Sequence, residues 1–372
     1  MKNTINLLFA GDFIPPENTD TLFSDELRNI LEDKDFSIVN LETPLTLGKN
    51  KIEKTGNNFK RPPSFIRYIR EGYFNAVTLS NNHIRDYSDE GVNETLKTCQ
   101  KNDILTVGAG RNIGEAIKPL RLNIKGKKIS LLNYSEQEFN IATENRAGAN
   151  PFDLIDAFFQ IQAEKEKNDF VIVIYHGGLE YQYYPTLEMV KNFKFMIEIG
   201  ADVIVGHHTH RYSGAIRHDT KPIIFGLGNF VCSTTNKISN EWLTGLIAKI
   251  ILKDDTIDFE LVPIKMTDDC DRLNLIKSTN AEKVLNHIDE ISSSILDQYF
   301  LTNYWIEKDF EEKDRIIRLL KSDSRIEYRF RKYFPRLFRT RLSTYKRSIL
   351  LNMIRCDSHR NRLIRILEKT FT

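Results

Sequence analysis

No stretch of this 372-residue chain strings together the roughly 18 apolar residues that a membrane-spanning helix requires. A secretory leader is not read either, because the apolar run from Ile5 to Ala10 is short and leads straight into Asp12. Cysteine is scarce: Cys99, Cys232, Cys270 and Cys356 are widely spaced and form no CxxC pair. That usage argues against a disulfide framework and for a reducing compartment, so a cytoplasmic location is expected. A nucleotide-type phosphate loop is missing too. Gly108-Ala109-Gly110 would need a further glycine where Ile113 stands, Gly114 comes one residue late, and no Lys-Ser/Thr follows. There is no internal repeat and no low-complexity segment. The balance of 41% apolar and 28% charged residues is that of an ordinary folded protein. The length accommodates one large domain of about 250 residues with a smaller appendage.

Histidines stand out against that plain background by where they fall. The run Val203-Ile204-Val205 ends at Gly206 and then presents His207, His208 and His210. Phe170 to Tyr175 runs into His176-Gly177-Gly178, and Ala76 to Leu79 runs into Ser80-Asn81-Asn82-His83. Five of the eight histidines thus lie just beyond three apolar strands. Acids join them: the first strand delivers Gly11-Asp12, and the strand Phe36 to Leu41 delivers Glu42. Ligands of open α/β sheets bind at the carboxyl ends of strands. Asp12, Glu42, Asn82, His83, His176, His208 and His210 all occupy such positions. This mixed oxygen and nitrogen set suits one or two divalent ions of Mn, Fe or Zn rather than Ca. Two metals sharing a carboxylate would clamp an in-line displacement and supply a hydroxide nucleophile near neutral pH.

A single histidine at a strand end is more often a structural hydrogen-bonding residue than a ligand. The pair His208 and His210, aimed from one strand end, shifts that balance. Asp12 and Glu42 taken singly could equally cap the next helix. By strand alternation His207 points away from the others and is left out of the ligand set. His218, His287 and His359 lack any such context and are read as ordinary residues. Asp86 and Glu180 sit a few residues past proposed ligands, placed either to orient an imidazole or to lie solvated in a loop. Asn229, after the strand Ile223 to Leu227, could reach the same rim or shape a turn.

Elements alternate through residue 265. Strands are expected near 4–10, 36–41, 75–79, 104–107, 119–124, 127–133, 170–175, 202–206, 221–227, 243–252 and 256–264. Helices are expected near 22–33, 63–71, 89–101, 151–167 and 186–198. The alternation places helices over sheet faces, and the hairpin at 243–264 calls for a mixed sheet. After about residue 268 the pattern turns helical, with Val284, Ile288, Ile291 and Ile295 at spacings of three and four. The expected division is therefore 1–268 and a basic, mainly helical 269–372.

The charge is just as divided. Residues 301–372 carry a net charge of +10, and residues 1–300 carry −8. Arg325, Arg329, Arg331, Lys332, Arg336, Arg339, Arg341, Lys346 and Arg347 alternate with Tyr328, Phe330, Tyr333, Phe334, Phe338 and Tyr345. The simplest reading is a helical appendage packed on the acidic main domain or an oligomer contact, its charges solvated, with biosynthetic partner proteins as a further candidate contact. An anionic membrane surface or envelope polymer is the next, giving peripheral membrane contact. Nucleic acid is the least favoured of the three.

The order of motifs resembles the capsule-synthesis CapA family of poly-γ-glutamate biosynthesis. The matching pieces are Gly11-Asp12, Asn40-Leu41-Glu42-Thr43-Pro44-Leu45-Thr46, Phe59 with Pro62-Pro63, and Asn81-Asn82-His83 with Asp86. They continue through Gly108-Ala109-Gly110, Glu115-Ala116, Pro119, His176-Gly177-Gly178 with Glu180-Tyr181, and Gly200-Ala201-Asp202. Gly206-His207-His208-Thr209-His210 and Gly226-Leu227-Gly228-Asn229-Phe230 complete the set, within about residues 4 to 265. The resemblance implies a calcineurin-like metallophosphatase fold: α/β, a β-sandwich flanked by helices. It implies that Asp12 binds one metal, that Glu42 bridges two, and that Asn82, His176 and His208 bind the second. His210 would return to the first metal, and His83 would protonate a leaving oxygen or stabilise the transition state. One departure is plain. The superfamily's second ligand, two residues after the first Asp, is here Ile14, which cannot coordinate. Two functions follow as expectations. One is a metal-dependent hydrolase of a phosphate-containing or anionic polymer substrate in capsule or exopolymer synthesis. The other is a non-catalytic accessory or scaffold protein of that synthesis which keeps the fold.

Overall fold

The computed structural model describes residues 4–17, 19–233, 239–254, 256–320 and 344–368. Two sheets pack as a sandwich with helices outside, the α/β architecture expected. The first sheet begins with β1 (Ile5–Ile14), β2 (Phe36–Leu41), β3 (Ala76–Thr78) and β4 (Leu105–Val107). A small pair, β5 (Ala109–Gly110) with β8 (Gly148–Ala149), stands apart. The second sheet holds β6 (Leu120–Ile124), β7 (Lys127–Ser135), β9 (Phe170–His176), β10 (Val203–His207), β11 (Ala215–His218) and β12 (Lys221–Ile224). The chain then returns to the first sheet with β13 (Asn229–Cys232), β14 (Thr244–Leu252), β15 (Ile257–Met266) and β16 (Leu273–Leu275).

The first sheet runs β16-β15-β14-β1-β2-β3-β4, with β13 paired to the far end of β1. β1 to β4 are parallel, and the β14–β15–β16 side is antiparallel, so the sheet is mixed as the hairpin required. The second sheet runs β11-β12-β10-β9-β7-β6. Its central strand β9, FVIVIYH, is buried at every residue, as a parallel strand covered on both faces must be.

Alternation along β1 explains the layers. Leu7 and Phe9 face the second sheet, in one core with Leu131, Ile172, Val203 and Ile204. Leu8 and Ala10 face the opposite way, onto Leu27, Leu31, Tyr68, Ile69, Val92 and Cys99 of the covering helices. The helix Leu154–Lys165 starts where the Asp153 carboxylate accepts the N–H groups of Ile155 and Asp156 at 2.8 and 3.1 Å. The helix Leu187–Glu198 starts at Thr186, whose hydroxyl accepts from Met189 N at 3.2 Å. Its Met189, Phe193, Met196 and Ile197 cover the outer face of the second sheet.

Five short strands were not legible in the sequence. β5 and β8 are two-residue pieces, β11 and β16 are edge pieces of four and three residues, and β13 was hidden near the expected strand 221–227. That segment splits because the chain leaves the second sheet after Ile224 and enters the first at Asn229. Gly228, at φ +67°, makes the crossing possible.

Beyond residue 268, β16 supplies the edge of the first sheet. The helix Ser278–Leu296 then places Ile288, Ile291 and Ile295 in the inter-sheet core, and Leu301 and Trp305 of Gln298–Leu320 follow. The helices Thr344–Arg355 and Asp357–Glu368 pack on Gln298–Leu320 and on the sandwich. Most of the basic, aromatic stretch, Arg325 to Arg341, lies outside the described residues. Among the described residues no helix is long and apolar enough to cross a membrane. All four cysteines are buried free thiols.

Candidate metal centre

The site assembles where β1, β2, β9 and β10 end and β13 begins. Asp12 lies at an irregularity of β1, with register shifts on both sides of it. Gly11 has to be glycine here, since a Cβ would stand 2.1 Å from the Gly228 carbonyl oxygen. That contact lets Asp12 N donate to the same carbonyl at 3.0 Å and turns the carboxylate inward. Asn40 Nδ2 donates to Asp12 Oδ1 at 2.7 Å, and His208 N donates to Oδ2 at 3.1 Å. His207 Nδ1 stands 3.2 Å from Oδ1. Burial raises the Asp12 carboxyl, but the His207 contact and the field of His176 and His210 hold it below the usual carboxylate range.

Glu42 is different. Both of its carboxylate oxygens are buried, and neither accepts a hydrogen bond. Burial, with Asp12 and Glu180 nearby, pushes this carboxyl well above its ordinary pKa. A buried, unpartnered carboxylate is costly, and it is the kind of group a cation satisfies. The neighbours suit one. Glu42 forms one close group with His176 and His208 and a second with Asp12 and His210; within each, the candidate ligand atoms lie within 4.8 Å of one another. His176 Nε2 is 3.4 Å from Glu42 Oε1, 3.1 Å from His208 Nδ1 and 3.1 Å from Asn82 Oδ1. His210 Nδ1 is 3.6 Å from Asp12 Oδ2 and 3.8 Å from Glu42 Oε2. Burial and the neighbouring His208 press His176 well below its ordinary pKa, which keeps it as the neutral imidazole that ligates metals. The donor set fits one or two divalent ions, with Glu42 shared.

His83 stands beside this centre, not in it. Its Nδ1 lies 2.7 Å from Asp86 Oδ2, and Lys54 Nζ bonds Asp86 Oδ1 and approaches His83 Nδ1 at 3.1 Å. Burial raises the Asp86 carboxyl, but His83 and Lys54 hold it below the usual range. Asp86 is therefore an acceptor, His83 Nδ1 carries the hydrogen, and Nε2 is left for the cavity. Burial and Lys54 lower the His83 pKa against the pull of Asp86. Phe59 packs on the His83 ring at 4.6 Å between centroids. Glu180 also reaches the site, and burial is outweighed there by His208 and His210, which hold its carboxyl low. Asn229 sits opposite Asp12 in register, with Oδ1 2.9 Å from His210 Nδ1.

The structure thus brings together Asp12, Glu42, Asn82, His83, His176, His208 and His210, with Asp86, Glu180 and Asn229 around them. One expectation is corrected. His207 does not turn away: β10 alternation stops at His208, where φ is +91°, so both rings point inward. His210, at φ +54°, is strained in the same way, as residues at functional sites often are. Sequence reasoning also missed Asn40, although an Asn inside the apolar strand FSIVNL was a visible signal. Lys54 comes from a loop and gave none. His359, read as ordinary, lines the same cavity of about 800 Å³ together with Asn352 and Glu312 of the C-terminal helices.

Fold and site together define a mixed α/β sandwich with a buried histidine–carboxylate centre at its strand ends. The chain belongs to the family described as "Bacterial capsule synthesis protein PGA_cap", which matches residues 7–234. It is 30% identical over 210 residues to "Capsule biosynthesis protein CapA" of Bacillus anthracis, covering 54% of this chain and 51% of that one. It is 27% identical over 252 residues to "PGA biosynthesis protein CapA" of Bacillus subtilis (strain 168), covering 67% and 66%. The match thus spans about half the length of the first of these relatives. Among solved structures, a 5'-nucleotidase precursor from Thermus thermophilus superposes with a TM-score of 0.42 at 13% identity, covering 80% of this chain and 60% of that one.

Proposed function

We propose that this protein is a metal-dependent hydrolase of the phosphoesterase type that works in capsule or exopolymer synthesis, on a phosphate-containing or anionic polymer substrate. The observation that carries the reading is Glu42, shared by two ligand groups with both oxygens otherwise unpartnered. Divalent ions held by Asp12, Glu42 and His210 and by Glu42, Asn82, His176 and His208 would supply Lewis acidity and activate water. The chain's own residues do the rest. Asn40 and the His208 amide fix Asp12 in an ionised, inward pose. Asp86 and Lys54 hold the His83 ring so that its imidazolium form would give the Nε2 proton to the leaving oxygen and return to the neutral Nδ1–H form. Glu180, Tyr181 and Trp242 line the cavity where the substrate enters, and the basic C-terminal region offers the anionic polymer or membrane surface an electrostatic handle.

A second reading rests on Ile14. It is fully buried two residues beyond Asp12 and offers no donor, which favours an accessory protein that binds polymer or partner enzymes without turnover. The deciding experiment measures metal content of tag-free protein and of His208→Ala, with phosphodiester and phosphomonoester hydrolysis assayed in Mn. About two metals per chain, lost together with turnover in the variant, establish the hydrolase. One metal without turnover establishes the accessory role, and no metal in either protein removes the centre.

A further inference from the structure

The first metal position is short of ligands along its own strand, because Ile14 stands where a nitrogen donor is expected. Asn229 approaches that position from another direction. It is fully buried and lies in register with Asp12 across β1 and β13. Gly245 admits it: a Cβ there would stand 1.9 Å from the Asn229 carbonyl oxygen, so β13 can press between β1 and β14. The orientation of the amide is set by its nitrogen. Nδ2 donates to the Trp242 carbonyl at 3.0 Å and reaches the His210 carbonyl at 3.5 Å, which leaves Oδ1 facing the centre.

Oδ1 is 2.9 Å from His210 Nδ1, which in turn is 3.6 Å from Asp12 Oδ2 and 3.8 Å from Glu42 Oε2. Ligands about 2.1 Å from one ion stand roughly 3 to 3.5 Å from one another. The 2.9 Å pair is at that spacing, and the 3.6 and 3.8 Å pairs lie a few tenths of an ångström beyond it, so a bound ion would draw these groups together into one shell. The second position repeats the device, with Asn82 Oδ1 3.1 Å from His176 Nε2. Each position thus has one carboxamide oxygen beside one imidazole.

We propose that Asn229 Oδ1 is a ligand of the first metal position, which is thereby built from three oxygens and one nitrogen and selects Mn(II), while the second, with two imidazoles, selects Zn(II). The inference rests on the metal-centre reading above. It follows from ligand softness: oxygen-rich sets suit Mn, and added imidazole favours Zn. A pair of unlike ions is the consequence.

The test loads apoprotein with equimolar MnCl₂ and ZnCl₂, removes excess, and counts both ions by mass spectrometry alongside Mn EPR. The expected result is about one Mn and one Zn per chain, with the EPR spectrum of isolated Mn. His208→Ala should then lose Zn and keep Mn, and Asn229→Leu should lose Mn and keep Zn. Asn229→Asp, nearly isosteric and carrying an extra charge, should bind Mn about tenfold more tightly, since affinity follows ligand charge. Two Zn in the wild type overturn the selectivity. Mn retained at unchanged affinity in both Asn229 variants reduces Asn229 to a hydrogen-bond acceptor for His210 and overturns the ligand assignment. Should Asn229→Leu not fold, the Asp variant decides: unchanged Mn affinity overturns the proposal, and tighter Mn supports it. A wild type without either metal overturns the centre as a whole, which separates that failure from this one.

Discussion

Asp86 shows how one residue sets the chemistry of another. It is fully buried, takes a hydrogen from His83 and is neutralised by Lys54, so the imidazole has a single orientation. The change Asp86→Asn keeps the shape and removes the charge. Turnover should fall about 10- to 100-fold, the usual cost of losing such an orienting carboxylate, with metal content unchanged. The measurement is kcat beside metal stoichiometry; an unaltered kcat would mean that His83 does not depend on Asp86. Much of this neighbourhood was legible, because Asp86 follows His83 by three residues and the pair comes from one turn. Lys54 was not: it arrives from a loop 32 residues before Asp86, and no local pattern marks it.

At the scale of elements, the joint between the helix Leu154–Lys165 and the second sheet turns on Glu164. Its carboxylate accepts from Arg121 Nε and Nη2 at 2.8 and 2.6 Å, from Ser130 Oγ at 2.9 Å and from Asn168 Nδ2 at 3.2 Å. The Arg121 hydrogen bonds, with those of Ser130 and Asn168, hold its pKa below the ordinary carboxylate value against burial. A carboxyl depressed by folding contributes stability above its unfolded pKa, near 4.3, and loses it as pH falls through the folded value. Glu164→Gln should therefore cost about 1 to 3 kcal/mol at pH 7. The gap to the wild type should narrow below about pH 4, read by urea unfolding at both pH values. A constant gap would show that charge is not the cause. Sequence periodicity located this helix and both strands within a few residues, since their apolar faces repeat at helical and strand spacing. It could not locate β13, because the strand 221–227 looks continuous until the second sheet runs out of partners at Ile224.

The whole molecule is closed by its C-terminal helices. Trp305 is buried against the sandwich, and its indole N–H donates to the Pro185 carbonyl at 2.8 Å. Further along, Glu136 accepts from Tyr175 OH at 2.9 Å, from Ser358 Oγ at 2.7 Å and from Cys356 Sγ at 2.8 Å, which ties the last helix to β7 and β9. Trp305→Ala should destabilise the protein by about 3 to 5 kcal/mol, as large-to-small core changes do. Two separate unfolding transitions, with only the smaller one shifted, would show instead that these helices fold apart from the sandwich.

The sequence by itself determined the order of the longer strands and helices, the mixed first sheet and the placing of acids and imidazoles just past apolar runs. These are local facts, written in side-chain periodicity and in where a run stops. Only the tertiary structure decided that Glu42 is left with two unpartnered oxygens between two ligand groups, and that His207 turns inward at the strained His208. It alone brought Asn229 across from one sheet to the other, Lys54 from its loop and His359 from the C-terminal helix. Each of these depends on which distant backbones come within a hydrogen bond of one another, and strand pairing decides that, not the order of neighbours along the chain.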